Sequence, residues 1–192
     1  RPKVGLQTGD NERFLRLWFE VSSSRSYLTA TSREDAEASG ARWFPHNKGG
    51  SFRKWWGNQD YVINWENDGK EVWDFRPRSV VRNPDCYFKP CVSWSRVSSG
   101  ELSVRSFPPG MSPNDVAPVI VTGHDRKIGI LALLNSTSTT SIVSAIAPGT
   151  HFEVGQISTI PWIEPESFNP APIERLIEIF RDDWDARETS WD

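Results

Sequence analysis

The chain has 192 residues and a net charge of −3, with 37% hydrophobic residues, ten tryptophans and ten phenylalanines. So many large apolar residues exclude a disordered chain and predict a folded domain with a real core. Two cysteines, Cys86 and Cys91, exclude a disulfide framework and a four-ligand zinc site. No basic start followed by an apolar run in the sequence resembles a signal peptide, and the longest apolar stretch, Ile128 to Leu134, is far shorter than the roughly 20 residues of a membrane span. We expect a soluble cytoplasmic protein without membrane contact and, because it starts without methionine, a piece of a longer chain.

Charge is distributed unevenly along the chain. Residues 1–150 carry 19 Lys and Arg against 15 Asp and Glu, whereas residues 151–192 carry 3 against 10. The first part can therefore face a phosphate backbone, and the acidic last part cannot. Because an asymmetry of this size also arises by chance, it does not decide the function alone.

Capping residues predict two short helices in the first quarter of the chain. Asp10 can cap a short helix whose apolar face includes Phe14 and Leu17. Ser32, followed by Asp35, predicts a capping box for a polar helix that ends at Gly40. Both helices are too short to form a core without strands to pack on.

Strands and longer helices follow. Runs rich in aromatic and β-branched residues predict strands at Leu17–Val21, Tyr61–Trp65, Tyr87–Trp94, Leu102–Phe107 and Val119–Thr122. Asp68-Gly69 is a turn signal. Lys127–Leu134 and Ser141–Ala147 predict buried helices, and Pro172 begins another with an apolar face. This order predicts an α+β protein in which a mixed sheet is followed by C-terminal helices.

The stretch from Arg42 to Trp65 interleaves aromatic residues with cations and glycines. Its members are Trp43, Phe44, Phe52, Trp55, Trp56, Tyr61 and Trp65 among Lys48, Gly49, Gly50, Arg53, Lys54 and Asn58. Cations neutralise phosphates, glycine allows close approach of the backbone, and rings stack on bases, so the composition favours a nucleic-acid surface. A solvated loop over a tryptophan-rich core explains the same composition, and both interpretations stay open here.

No catalytic or metal-binding motif is evident in the sequence. His46, His124 and His151 are scattered without metal-binding spacing. The glycines of Gly5 to Gly9 form no GxGxxG phosphate cradle. Asn83-Pro84-Asp85-Cys86 lacks the second proline and the aromatic residue that would stack on a flipped adenine, so we expect a loop there. We assign no catalytic residue and no metal ligand.

Four segments resemble a known family. They are KVGLQTGDNERFLRLWFEV (Lys3–Val21), WFPHNKGGSFRKWWGNQDYVINWENDG (Trp43–Gly69), CVSWSRVSSGELSVR (Cys91–Arg105) and DDWDARETSWD (Asp182–Asp192). They are similar to the C-terminal region of the PglX family, the adenine-specific DNA methyltransferases of BREX phage defence, and the similarity covers essentially the whole chain. LNS at Leu134–Ser136 and GQIxxIPW at Gly155–Trp162 also resemble the C-terminal end of target-recognition domains in type I specificity subunits and type IIG restriction-modification enzymes.

The resemblance implies a division of labour within a longer enzyme. An upstream methyltransferase domain would bind S-adenosylmethionine and modify a flipped adenine, with an Asn-Pro-Pro-aromatic motif that this chain lacks. This chain would select the adenine on double-stranded DNA without a cofactor of its own. Residues 1–165 would form a target-recognition domain with a curled mixed β-sheet, and residues 166–192 an acidic helical extension. Other phage-defence proteins are further expected partners.

Candidate DNA contacts come from an N-terminal turn, the basic aromatic stretch and a later polar segment. Arg53 and Lys54 are expected on phosphates or guanine edges, and Gln7 and Asn58 on adenine, because a carboxamide both donates to and accepts from that base. The full set is Gln7, Thr8, Asn11, Lys48, Gly49, Gly50, Arg53, Lys54, Trp55, Asn58, Ser95, Arg96 and Ser98.

Two other functions remain open from the sequence. In the first, the chain is a protein-interaction module whose acidic tail docks on the catalytic domain or on other defence proteins, and DNA is contacted elsewhere. In the second, it is a tryptophan-rich carbohydrate-binding domain, which explains the aromatic residues but not the basic loop or the missing secretion signal.

Overall fold

The computed structural model describes residues 1–98, 100–146, 149–162 and 167–187. The helices in these ranges are α1 (Asn11–Phe14), α2 (Arg33–Ala38), α3 (Glu66–Asp74), α4 (His124–Asn135), α5 (Thr137–Ile146), α6 (Val154–Ser158) and α7 (Ala171–Asp185). The strands are β1 (Leu15–Leu17), β2 (Trp43–Asn47), β3 (Tyr61–Asn64), β4 (Cys91–Trp94), β5 (Val104–Phe107), β6 (Ser112–Pro113) and β7 (Val119–Val121). The end of the helix predicted to Ala147, the domain boundary at 165/166 and the terminal ETSW lie outside the described residues, and the two-domain division stays a prediction.

The strands form two sheets. In the first, with the order β1-β3-β2-β6, β1 and β2 run antiparallel to β3, and β6 runs parallel to β2. The second, with the order β5-β4-β7, is antiparallel throughout. The predicted α+β class is confirmed. The first sheet is the one that contains both parallel and antiparallel strand pairs.

Aromatic side chains build the core of the first sheet. Phe44, Trp65, Tyr87 and Phe88 are all nearly fully buried. The Phe44 and Phe88 ring centroids are 5.5 Å apart, and those of Trp65 and Tyr87 are 5.2 Å apart. Because tilted and edge-to-face rings at such distances attract each other beyond their burial, part of the aromatic richness of the sequence serves folding.

The second core lies between the second sheet and α4. Leu131 and Leu134 of α4 pack in one cluster with Val92 and Trp94 of β4. The Trp94 indole N–H donates to the Phe152 carbonyl at 2.8 Å, which satisfies its polar atom inside the core. No single helix of the described ranges is long and apolar enough to cross a membrane. By length and composition alone, α4 and α5 together would be, but the pair is bent by 62°. The leucines of α4 instead face the second sheet.

Both predicted capping residues begin their helices. An Asp10 carboxylate oxygen accepts from the Arg13 N–H at 3.0 Å, and the Ser32 hydroxyl accepts from the Asp35 N–H at 3.1 Å. Gly40 follows α2 with a φ of +64°. These caps satisfy backbone donors that have no partner inside the helix.

Two predicted strands are shorter than expected. The predicted strand at Leu17–Val21 is wrong, because β1 ends at Leu17 and a 3₁₀ turn follows. The Leu17 N–H donates to the Glu20 carboxylate at 2.7 Å, which stabilises this turn. The strand at Tyr87–Trp94 begins only at Cys91, since Phe88 has a φ of +65°, which no strand allows.

The Asp68-Gly69 turn signal lies within α3. Asn67, Asp68 and Gly69 have φ values of +52°, +54° and +72°, so a left-handed turn interrupts the helix. The Asp68 carboxylate accepts from the Trp65 indole N–H at 3.2 Å and pairs with Arg33 of α2. The turn therefore fastens α2 to α3 over the first core.

Candidate nucleic-acid interface

A cleft of about 300 Å³ joins two segments that the sequence singled out. Its lining residues are Gln7, Thr8, Gly9, Asp10, Asn11, Lys48, Asn114, Asp115 and Val116. We call it the carboxamide cleft, after the side chains of Gln7, Asn11 and Asn114. The fold thus brings together four of the predicted DNA contacts, namely Gln7, Thr8, Asn11 and Lys48.

The N-terminal turn forms one wall of the carboxamide cleft. The Thr8 hydroxyl donates to Asn11 Oδ1 at 2.6 Å, and the backbones of Gln7 and Val80 bond in both directions at 3.0 and 2.8 Å. Gly9 has a φ of +71°, and a Cβ there would clash with a neighbouring backbone carbonyl. Gln7 and Asn11 are exposed on this braced backbone, whereas Thr8 is buried.

Asn114 on the opposite wall is held by a buried histidine. Its Nδ2 lies 2.9 Å from His46 Nε2, and His46 Nδ1 lies 2.9 Å from the Ser112 hydroxyl. The amide donates to Nε2, so the ring proton lies on Nδ1 and is donated to Ser112. Burial lowers the pKa of His46 to about 3, which keeps the ring neutral. No motif in the sequence signals Asn114, and it was not among the predicted contacts.

Stability is expected to fall as the pH decreases from about 7.5 to about 5, partly through His46. The folded ring stays neutral down to about pH 3, whereas in the unfolded chain it binds a proton near pH 6.5. Below that pH the unfolded state gains about 1.4 kcal/mol per pH unit, or about 2 kcal/mol at pH 5. Urea unfolding across this range measures the effect, and His46→Gln should show a shallower pH dependence. Identical slopes for the two proteins would contradict this role.

Lys48 also lines a second, larger cleft of about 580 Å³. Its Nζ lies 4.4 Å from the centroid of the Tyr61 ring, and no carboxylate of the described residues lies within 4.0 Å of it. The other lining residues are Gly49, Gly50, Ser51, Phe52, Arg53, Asn58, Asp60, Tyr61, Trp184 and Arg187. Lys48 therefore presents a cation without an ion-pair partner among the described residues, between a first cleft that Asp10 and Asp115 also line and a second cleft that Asp60 also lines.

Two predicted contacts, Asn58 in the second cleft and Trp55 near it in sequence, brace the loop itself. Asn58 is 7% exposed, and its Nδ2 donates to the Ser51 carbonyl at 2.9 Å. The Trp55 N–H donates to the Val104 carbonyl at 2.9 Å, and its carbonyl accepts from the Ser106 N–H at 2.8 Å. Readout of a base by Asn58 therefore requires the loop to open.

Arg53 and Lys54 are both engaged by helices of the chain. The Arg53 guanidinium pairs with Asp183 and lies 5.1 Å from the Trp184 ring centroid, which leaves its side chain 14% exposed. Lys54 Nζ donates to the Asn135 carbonyl at 3.3 Å, at the C-terminal end of α4 where a cation is favoured. These contacts fasten α7 and α4 to the loop, and either side chain must give them up before it can reach DNA.

A fully buried guanidinium lies beneath the same loop. Arg105 of β5 is 0% exposed, and it donates to the Arg53 carbonyl at 3.1 Å and to the Ser95 hydroxyl at 3.0 Å. Ser95 in turn donates to the Gly50 carbonyl at 2.8 Å. Burial, with Arg53 nearby, lowers the pKa of Arg105 to about 10, so it stays charged at neutral pH. Ser95 is thus a brace in this structure, and no sequence signal pointed to Arg105.

Arg96 and Ser98, the remaining predicted contacts, line neither cleft. Arg96 Nε lies 3.0 Å from a carboxylate oxygen of Glu153, so its charge is partly compensated. Ser98 is 7% exposed, and its N–H donates to the Thr150 carbonyl at 2.9 Å. Neither side chain therefore contributes to a cleft, although the Arg96 N–H donates at 2.8 Å to the carbonyl of Val116, which lines the carboxamide cleft.

The tetrapeptide at Asn83–Cys86 forms a turn held by the N-terminal segment. Asn83 Nδ2 donates to the Val4 carbonyl at 2.9 Å, and Asp85 pairs with Lys3 at 2.7 Å. These contacts occupy the groups that a catalytic motif would offer to a base. Among the described residues, no three His, Cys, Asp or Glu side chains are grouped to hold a metal ion.

Two known proteins match nearly the whole chain. The adenine-specific methyltransferase PglX of Lacticaseibacillus casei (strain Zhang) is 35% identical over 198 aligned residues, which cover 98% of the chain and 16% of PglX. The adenine-specific methyltransferase BrxX of Escherichia coli O9:H4 (strain HS) is 34% identical over 197 residues, which cover 100% of the chain and 15% of BrxX. The chain corresponds to one segment of these methyltransferases. The resemblance predicted from the sequence is confirmed, while no protein-family model matches the chain.

The LNS motif has a structural role in this chain. Leu134 is buried in the second core, and Asn135 pairs through both side-chain atoms with Val104, donating at 2.9 Å and accepting at 3.0 Å. The Ser136 hydroxyl accepts from the Thr139 N–H at 3.1 Å and begins α5. The three residues therefore fix α4 to the edge of the second sheet and start the next helix.

Proposed function

We propose that this chain is the DNA target-recognition segment of an adenine-specific DNA methyltransferase of a BREX-type phage-defence system. The names of the two matched relatives support the adenine-specific methyltransferase part of the proposal. S-adenosylmethionine would be bound, and the methyl group transferred, by another segment of the parent enzyme, since this chain has no Asn-Pro-Pro-aromatic sequence. Such an enzyme would act in the cytoplasm, on double-stranded DNA.

The recognition role is supported mainly by the carboxamide cleft. Gln7 and Asn11 are exposed on a braced turn, and Lys48 supplies a cation that has no ion-pair partner among the described residues of the same cleft. A carboxamide can donate to and accept from the major-groove edge of adenine, and a lysine can contact guanine or phosphate. The braced backbone lowers the entropy that these side chains lose on binding.

Removal of the cleft carboxamides is expected to relax the recognition motif. Gln7→Ala and Asn11→Ala should each reduce discrimination at one base position by about 1 to 3 kcal/mol, because a base-reading pair is lost while phosphate contacts remain. Methylation mapping by sequencing of a strain that carries each variant measures the modified motif and its occupancy.

Asn169→Ala, which removes an exposed carboxamide outside the cleft, is the matched control. It should leave the motif unchanged. If Gln7→Ala and Asn11→Ala also methylate the wild-type motif at full occupancy, the cleft does not read bases.

A second candidate function is the docking of another protein, and it rests on a different surface. A groove of about 500 Å³ is lined mainly by apolar residues of β7, α4, α6 and the turn after α6, among them Ile120, Val121, Ile130, Leu133, Ile157 and Ile160. An apolar groove suits a protein partner such as a methyltransferase domain. Gel shifts of the full-length protein with duplexes that carry or lack the methylated motif distinguish the two functions, because this candidate predicts that the carboxamide variants discriminate between the two duplexes as the wild type does.

A further inference from the structure

Three arginines, Arg13, Arg76 and Arg78, form an exposed basic surface beside the carboxamide cleft, and we call it the arginine patch. Arg13 belongs to α1, and the other two follow α3 in the chain. None of the three is among the DNA contacts that the sequence predicted. The patch is therefore a charged surface to which no role has been given.

Aromatic rings hold the three guanidinium groups. The Cζ atoms of Arg13 and Arg78 lie 4.9 and 5.1 Å from the centroid of the Phe75 ring. The Cζ atom of Arg76 lies 4.1 Å from the centroid of the Trp73 ring. A guanidinium over a ring loses less side-chain freedom on binding and keeps N–H groups for a ligand.

Among the described residues, few carboxylates lie close to the positive charges of the arginine patch. Arg13 lies 3.7 Å from Glu71, and both side chains are about half exposed. In the part of the chain that the structure describes, neither Arg76 nor Arg78 has a carboxylate within 4.0 Å. The arginines around α2 and α3 differ in this respect, because Arg25, Arg33 and Arg42 each pair with Glu66 or Asp68.

The arginine patch is joined to the carboxamide cleft through the backbone. Val80 pairs with Gln7, and the Cα of Gly9 packs against the carbonyl group of Arg78. The turn that lines the cleft continues directly into α1, which carries Arg13. A duplex whose bases meet the cleft would therefore bring its backbone to the arginines.

We propose that the arginine patch binds phosphate groups of the duplex whose bases meet the carboxamide cleft. The inference rests on the proposed function and adds the residues that supply affinity rather than sequence discrimination. Arginine suits this role because its planar N–H groups match two phosphate oxygens at once. It also explains how the segment binds DNA while Arg53 and Lys54 are engaged by helices.

The salt dependence of DNA binding tests the arginine patch. Full-length protein carrying Arg76→Gln and Arg78→Gln is titrated with a random-sequence duplex at several salt concentrations. The slope of log affinity against log salt should become shallower by about two, because each phosphate contact contributes about one unit. The double variant Arg175→Gln and Arg181→Gln makes the same charge change on α7 and should keep the wild-type slope.

Each outcome bears on the patch or on the proposed function. A shallower slope in the first double variant alone, with an unchanged methylated motif, supports phosphate binding by the patch. An unchanged slope, or an equal change in the α7 control, overturns it while leaving base reading by the cleft intact. If the wild-type protein binds no duplex even at low salt, the proposed function fails and the patch inference with it. Circular dichroism melting confirms that both variants are folded, as their exposure predicts.

Discussion

Trp184→Ala is expected to lower the free energy of unfolding by about 3 kcal/mol and to detach the end of α7 from the loop at Gly49–Asn58. Trp184 is only 5% exposed, and the Arg53 guanidinium lies against its ring. The cavity would face Gly57, which has no side chain to fill it. Loss of the ring would also remove the apolar support of the Arg53–Asp183 pair.

Urea unfolding measures the change in stability, and limited proteolysis measures the release of α7. Ile179→Ala on the same helix is the control, because Ile179 is 46% exposed and its replacement should change stability by less than about 0.5 kcal/mol. Equal stability and equal proteolysis of the two variants would show that α7 is not held by the tryptophan.

Asn135→Leu is expected to destabilise the protein by about 3 kcal/mol. The Asn135 side chain bonds both backbone groups of Val104, and leucine of similar size would leave the Val104 N–H without a partner inside the second core. A buried donor without an acceptor costs about 1 to 3 kcal/mol, and the lost bond to the carbonyl adds to this. Because Val104 belongs to β5, the contact between α4 and the second sheet should loosen.

Hydrogen exchange at the Val104 amide, together with urea unfolding, checks this expectation. Asn135→Asp keeps an acceptor for the Val104 N–H but buries a carboxylate against the Val104 carbonyl oxygen, so it should also destabilise the protein, while the Val104 amide stays protected in its folded state. A leucine variant as stable as the wild type, with the Val104 amide still protected, would mean that the side-chain pairing contributes little.

Features of the fold that depend on neighbouring residues were predictable from the sequence. The caps at Asp10 and Ser32 act within three residues, and both begin helices as predicted. The run before Cys91 was wrongly predicted as part of a strand. Tyr87 and Phe88 are aromatic because they are buried in the first core, not because they pair in a sheet. The division of strands between two sheets depends on pairings between distant segments, which no local pattern encodes.

The candidate site was predictable to the same limited extent. The N-terminal turn and Lys48 were identified by their residue types, and the fold places them in one cleft. Arg53 was identified in the same way, but its partner Asp183 lies 130 positions away in α7. Composition shows which residues carry charge, whereas only the folded chain shows which charges are already matched.

The buried Arg105 limits how the loop at Gly49–Asn58 can be exchanged between relatives. Its guanidinium bonds the backbone of Arg53 from below and reaches Gly50 through Ser95, so the shape of the loop depends on two residues far away in sequence. A graft of the loop alone into another methyltransferase would arrive without its internal scaffold. Engineering of a new target preference should therefore transfer Ser95 and Arg105 together with the loop.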